Sequence, residues 1–183
     1  MEKILALVEG HTETHFVKQT YGNSIVLRPF PNGDDVAIEL IIESILDVMG
    51  TIGGGITKVL ILLDREGRDI SASDMRKMIG DAISETCRHC TVSVGVTDRH
   101  IENWILADED RVRQQYGPAD YAYPGDGFRG KGMFEKMIGG VSIGPLDRAL
   151  VLKACSAVRA MGKSESLAAL IDQVDFDWNW AKT

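Results

Sequence analysis

Three short apolar runs, each closing on acid, limit what this chain can fold into. They are Lys3–Val8 ("KILALV") before Glu9, Lys58–Leu63 ("KVLILL") before Asp64, and Thr91–Val96 ("TVSVGV") before Thr97 and Asp98. Runs this short, aliphatic and β-branched, bounded by polar residues, read as strands of a parallel sheet buried on both faces. A weaker run, Ser24–Phe30 ("SIVLRPF"), meets Pro29 and Pro31 and suits an edge position.

Helical patterns fill the gaps. After "NGDD", where Asp34 or Asp35 can cap, apolar residues recur at Ile38, Ile41, Ile42, Ile45, Leu46 and Met49, which makes one helix face. A second helix is predicted from Ser71, with Asp74 as its capping-box partner and Met75, Met78, Ile79, Ala82 and Ile83 on its buried side. A third runs from about Asp98 through "HIENWILAD", with Trp104 in the core. Strand–helix alternation of this kind predicts an α/β fold: a mainly parallel, Rossmann-like sheet flanked by helices.

The C-terminal third reads differently. Gly117–Gly132 ("GPADYAYPGDGFRGKG") is a long Gly/Pro-rich loop, of a kind a compact domain keeps for function. Extra helices are predicted near Leu146–Met161 and Ser164–Val174. In the tail, Val174, Phe176, Trp178 and Trp180 alternate with polar residues, which is the period of a strand. Its apolar face packs either on the protein's own body or on a partner subunit. The expected organisation is one domain over residues 1–183, with a core of about 1–115 and an extension of about 116–183; 183 residues suffice for one buried core.

No apolar run reaches membrane length, and "MEKILALVEG" lacks the makings of a leader. Three cysteines, an odd number, argue against a disulfide framework, so a reducing cytoplasm is the expected location. "CRHC" at Cys87–Cys90 has metal-like spacing but no second pair. "GTIGGGITK" at Gly50–Lys58 lacks phosphate-loop spacing and precedes a strand, so it reads as a turn. Charge is unevenly spread. Residues 1–127 hold 12 Lys and Arg against 21 Asp and Glu, whereas residues 128–164 hold 7 against 2. An acidic body with a basic segment fits a metal site beside a phosphate-contacting surface; the plainer alternative is a solvated helix face.

Ligands of open parallel sheets bind beyond the carboxyl ends of the strands. That is where Glu9, Asp64, Glu66, Asp69, Asp98 and Glu102 fall, with His11 and Glu13 just after the first strand. Any one of these acids alone is most simply a helix cap. Three strand ends in succession instead favour a shared cluster, which needs a bridging cation at neutral pH. Oxygen donors suit Mg²⁺ or Mn²⁺, with Glu9, Asp64 and Glu66 as first choice and Glu13, Asp69 and Glu102 behind them.

"VEGHTE" after a first strand and "LILLDREGRD" after a later one resemble the TOPRIM domain of topoisomerases, primases and OLD-type nucleases. With "IENWILAD", "GKGMFEKMI" and "AVRAMGKSESLAALIDQV", the chain resembles small stand-alone TOPRIM-like proteins encoded beside ABC-type or OLD-like ATPases in phage-defence loci. The resemblance implies that Glu9 is the motif Glu and Asp64 the first Asp of Asp-x-Asp. Glu66 stands where the second Asp is usual, and Asp69 is a substitute ligand. It also implies assisting roles for Glu102 and Lys131. The expected activity is Mg²⁺-dependent cleavage of DNA or RNA, with phosphate contacts from Arg129, Lys131 and Lys136. Two alternatives stand beside it: a non-catalytic subunit gated by an ATPase, and a small-molecule phosphoesterase. Homo-oligomerisation is compatible with all three.

Overall fold

The computed structural model describes residues 2–31, 33, 36–52 and 55–183. The expected caps Asp34 and Asp35, and Gly53 and Gly54 of the glycine-rich turn, lie outside the described residues. Four strands, β1 (Ile4–Val8), β2 (Ser24–Leu27), β3 (Lys58–Asp64) and β4 (Thr91–Thr97), form one parallel sheet in the order β2-β1-β3-β4. The Pro-terminated run sits at the edge, as its sequence predicts. Helices α1 (His11–Thr20), α2 (Ile38–Thr51) and α3 (Ala72–Thr86) connect the strands, and no helix is long and apolar enough to cross a membrane among the described residues.

Both faces of the sheet are covered, which explains why its strands are apolar at consecutive positions. Ile4, Ala6, Val8, Leu60 and Leu62 pack against α1 and the C-terminal helices. Leu5, Leu7, Val59, Ile61, Leu63, Val94 and Val96 face Ile41 and Ile45 of α2 and Met75, Ile79 and Ile83 of α3. Ser71 caps α3 as expected, its hydroxyl accepting from the Asp74 amide at 3.0 Å. Met78 does not share the buried face and is exposed.

Past β4 the chain turns through Arg99 in the left-handed region (φ 85°) before α4 (Glu102–Ala107). The third helix therefore begins four residues later than its sequence suggests. It is followed by α5 (Glu109–Gln115), α6 (Gly130–Met137), α7 (Pro145–Lys153), α8 (Ala157–Met161) and α9 (Glu165–Ile171). Helix α6 has no signal in the sequence because two glycines stand among its first three residues, which reads as loop. The predicted helix Leu146–Met161 is two helices. The break falls where Ser156 caps α8 and donates its amide to buried Asp108 at 2.7 Å.

The tail makes no strand. Phe176, Trp178 and Trp180 are nevertheless buried alternately, against Phe16 and Tyr21, with Trp180 inside a 3₁₀ turn over Asn179–Lys182. The periodicity marked burial, not ladder pairing. Cys87 and Cys90 are joined in a disulfide at the end of α3, where the sequence suggests free thiols. The bridge closes one turn and is not a framework.

Candidate functional site

The loops after β1, β3 and β4 open into a pocket of about 600 Å³ at the carboxyl edge of the sheet. Its floor is acidic and its rim is basic. The local geometry begins with Gly10, which caps α1. A Cβ built there would stand 2.2 Å from Glu13 Oε2, so only glycine lets the Glu13 carboxylate fold back over the helix start. That carboxylate is 4% exposed, and its Oε2 has no hydrogen-bond partner. Burial, together with the charges of Glu102 and Glu9, pushes the Glu13 carboxyl up to about 7, against the pull of backbone amides at Gly10 and Glu13.

Asp64 ends β3 level with Thr97 of β4, whose hydroxyl donates to Asp64 Oδ1 at 2.6 Å. Burial and the charges of Glu13, Glu102 and Glu9 hold the Asp64 carboxyl well above its ordinary range. Glu102, the first residue of α4, is buried and paired with Arg148 of α7 at 3.4 Å. Burial raises its carboxyl too, and the cations Arg148 and Lys131 offset part of that rise. Asp64, Glu13 and Glu102 are thus three acids whose charges cost each other energy.

Glu9 has a different place from the one its sequence position suggests. Its amide continues the ladder to Leu62 O, so it sits level with Leu63, on the opposite face of the sheet from Asp64. Its carboxylate is engaged by Arg68 Nη2 at 3.2 Å and the Asp64 amide at 2.9 Å. Glu9 therefore braces the back of the floor and fixes the end of β3. Glu66 lines the pocket from a left-handed turn (φ 54°) and lies 3.9 Å from Arg68 Nη1. Asp69 is turned away into a separate depression with Val36 and Ile70. Asp98 is held by Arg65 at 2.5 Å.

The basic residues divide. Arg129 and Lys131 line the acidic pocket, while Lys136 borders an adjoining groove. His11 stands on the lip, exposed, within 2.8 Å of Arg28 Nη1. Arg148 and Thr97 carry no motif, and Arg68, though inside "DREGRD", is not marked there as a partner of Glu9. Arg148 belongs to the basic segment that charge counting does find, but only the packing of α7 on α1 brings it here.

The donor set is all oxygen, and Glu13 Oε2 receives no hydrogen bond from the protein itself. Among the described residues, the one group with three ligating atoms within 4.8 Å of one another is Cys87, His89 and Cys90, whose thiols are consumed by the disulfide. The carboxylates thus do not make a closed three-ligand shell. Mg²⁺ differs from such a shell in keeping several waters and taking only one or two carboxylates. Comparison with protein families, curated proteins and solved structures found no match.

Proposed function

We propose that this pocket is a Mg²⁺-dependent phosphodiester-cleaving site acting on nucleic acid. One observation carries the reading: a buried carboxylate oxygen without a partner, Glu13 Oε2, lies in a pocket that Asp64 and Glu102 also line, with Arg129 and Lys131 exposed beside it and Arg148 paired to Glu102. An acidic floor alone would repel a phosphodiester, and a basic rim alone would only bind one. Together they fit a metal below and a phosphate above. The resemblance to TOPRIM nucleases supports the same class, with Asp64 kept as a ligand and Glu13 taking the place expected of Glu9.

In this reading Glu13 and Asp64 hold the ion, with Glu102 as a further acceptor. Bound Mg²⁺ supplies polarisation of a phosphoryl oxygen and a water of lowered pKa. Thr97 orients the Asp64 carboxylate, and Glu9 fixes the β3 end from which it projects. Arg129 and Lys131 neutralise and position the phosphate. Glu102, raised by burial and held by Arg148, is placed to exchange a proton with the attacking water or the leaving oxygen.

Isothermal calorimetry with Mg²⁺ and Mn²⁺ on the wild type, Glu13→Gln and Asp64→Asn tests the metal. A gel assay on single- and double-stranded DNA and RNA tests the reaction. Metal affinity equal in all three proteins sinks the site. Hydrolysis of a small phosphodiester ester but of no polynucleotide shifts the reading to a small-molecule phosphoesterase.

A further inference from the structure

A second cavity, about 650 Å³, adjoins the acidic pocket between the Gly/Pro-rich loop and α6. Tyr116, Phe128, Met133 and Met137 line it, and Arg129 and Lys136 stand on it. Arg129 borders both cavities, so the two are neighbours that share this residue.

Phe128 is 42% exposed, which is costly for so large an apolar ring. Its backbone is nonetheless fixed. Its carbonyl accepts from Asn103 Nδ2 at 3.0 Å and from the Gly130 amide at 2.9 Å, and buried Asn103 also donates to Asp98 O at 2.6 Å. One residue earlier, the Gly127 carbonyl accepts from Arg99 Nε at 2.8 Å, and Gly127 holds a φ of 90°. A Cβ at Gly130 would collide with Asn103 Oδ1, so this glycine permits the close approach. The same residues that shape the rim of the acidic pocket therefore hold the ring out toward solvent.

An aromatic ring, a tyrosine and two methionines flanked by two cations match one chemistry: a flat aromatic group joined to an anion. We propose that this groove takes one unstacked nucleobase of the substrate strand, stacked on Phe128, while Arg129 holds the phosphate that joins it to the scissile position. The proposal rests on the phosphodiester reading of the adjacent pocket and adds the substrate class: a single-stranded or frayed strand, since a paired base has no free face to offer.

The experiment measures fluorescence anisotropy of labelled DNA and RNA single strands, with Ca²⁺ replacing Mg²⁺, and of matched strands with one abasic position. The proteins are the wild type, Phe128→Ala and Phe128→Trp. Phe128→Ala should weaken binding of the base-bearing strand about tenfold, in keeping with the cost of losing one stacked base. Phe128→Trp should retain binding. An abasic position scanned along the strand should, at one register, weaken the wild type similarly and leave Phe128→Ala unchanged. Equal binding by wild type and Phe128→Ala overturns the nucleobase groove and leaves the metal site standing. Absence of strand binding by the wild type, with no Mg²⁺-dependent cleavage, overturns the phosphodiester reading and this proposal with it. A loss of dimer mass in Phe128→Ala by sedimentation, with unchanged strand binding, identifies the groove as a self-association face and overturns the proposal.

Discussion

Glu13 Oε2 occupies the space that a side chain at Gly10 would fill, 2.2 Å from the position of a Cβ there. The Glu-Gly pair after β1 is therefore a device for Glu13, three residues on, as much as for Glu9. Gly10→Ala should displace the Glu13 carboxylate without unfolding the sheet. Mg²⁺ affinity measured by calorimetry should fall at least tenfold, and Gly10→Ala combined with Glu13→Gln should bind no worse than Glu13→Gln alone. Additive losses would show that Gly10 acts elsewhere.

The raised Glu13 carboxyl makes metal-free stability depend on pH. Between the ordinary value of 4.5 and about 7 the folded state keeps a proton that the unfolded chain has released. Stability is then present in full below 4.5 and falls as pH rises to about 7. In chelator, Glu13→Gln should raise Tm at pH 8 relative to wild type and should not raise it at pH 4. Added Mg²⁺ should stabilise the wild type at pH 8 and not the variant.

Glu66 and Asp69 are the acids that the spacing "DREGRD" favours, yet Asp69 lines a separate depression and Glu66, though it lines the pocket, sits in a left-handed turn beside Arg68. Glu66→Gln and Asp69→Asn should leave Mg²⁺ affinity within about twofold of wild type, a difference well under 1 kcal/mol. A loss as large as that of Asp64→Asn would return them to the metal shell.

Asp108 is wholly buried between α4 and α5. Burial alone would raise its carboxyl, but hydrogen bonds from Arg159 and from the Ser156 and Arg111 amides hold it below the ordinary range. The stability it contributes is present above the unfolded value near 4 and is lost as pH falls through the lower folded value. Asp108→Asn should cost about 2 kcal/mol at pH 7, because charge-assisted bonds are replaced by weaker ones and half-exposed Arg159 loses its partner. Urea melts at pH 7 and pH 3 should show the gap between variant and wild type narrowing in acid.

The C-terminal aromatics close the core over α1. Trp178 is fully buried, with its ring centroid 5.8 Å from Phe16 and 5.3 Å from Trp180. Trp178→Ala should cost about 4 kcal/mol in denaturant melts, as truncations of buried aromatics do. Deleting residues 175–183 should destabilise the protein at every concentration tested. A loss confined to subunit association would place the tail at an interface instead.

The sequence by itself determined the strands, their parallel arrangement and the edge on which acids gather. Those signals are local: apolar runs of five to seven residues, an acid after each, and helix faces between them. It also marked the segment that supplies Arg129, Lys131 and Arg148, because charge is countable. Only the tertiary structure decided which acids share a floor. Register places Glu9 beside Leu63 and Asp64 beside Thr97, on opposite faces, and a one-residue slip of β1 against β3 would have put both on one face. Helix α1 then lifts Glu13 into the gap, and α7 delivers Arg148 from far along the chain to Glu102. Strand parity and long-range helix packing have no signature in a single sequence, since each depends on which distant segment becomes the neighbour.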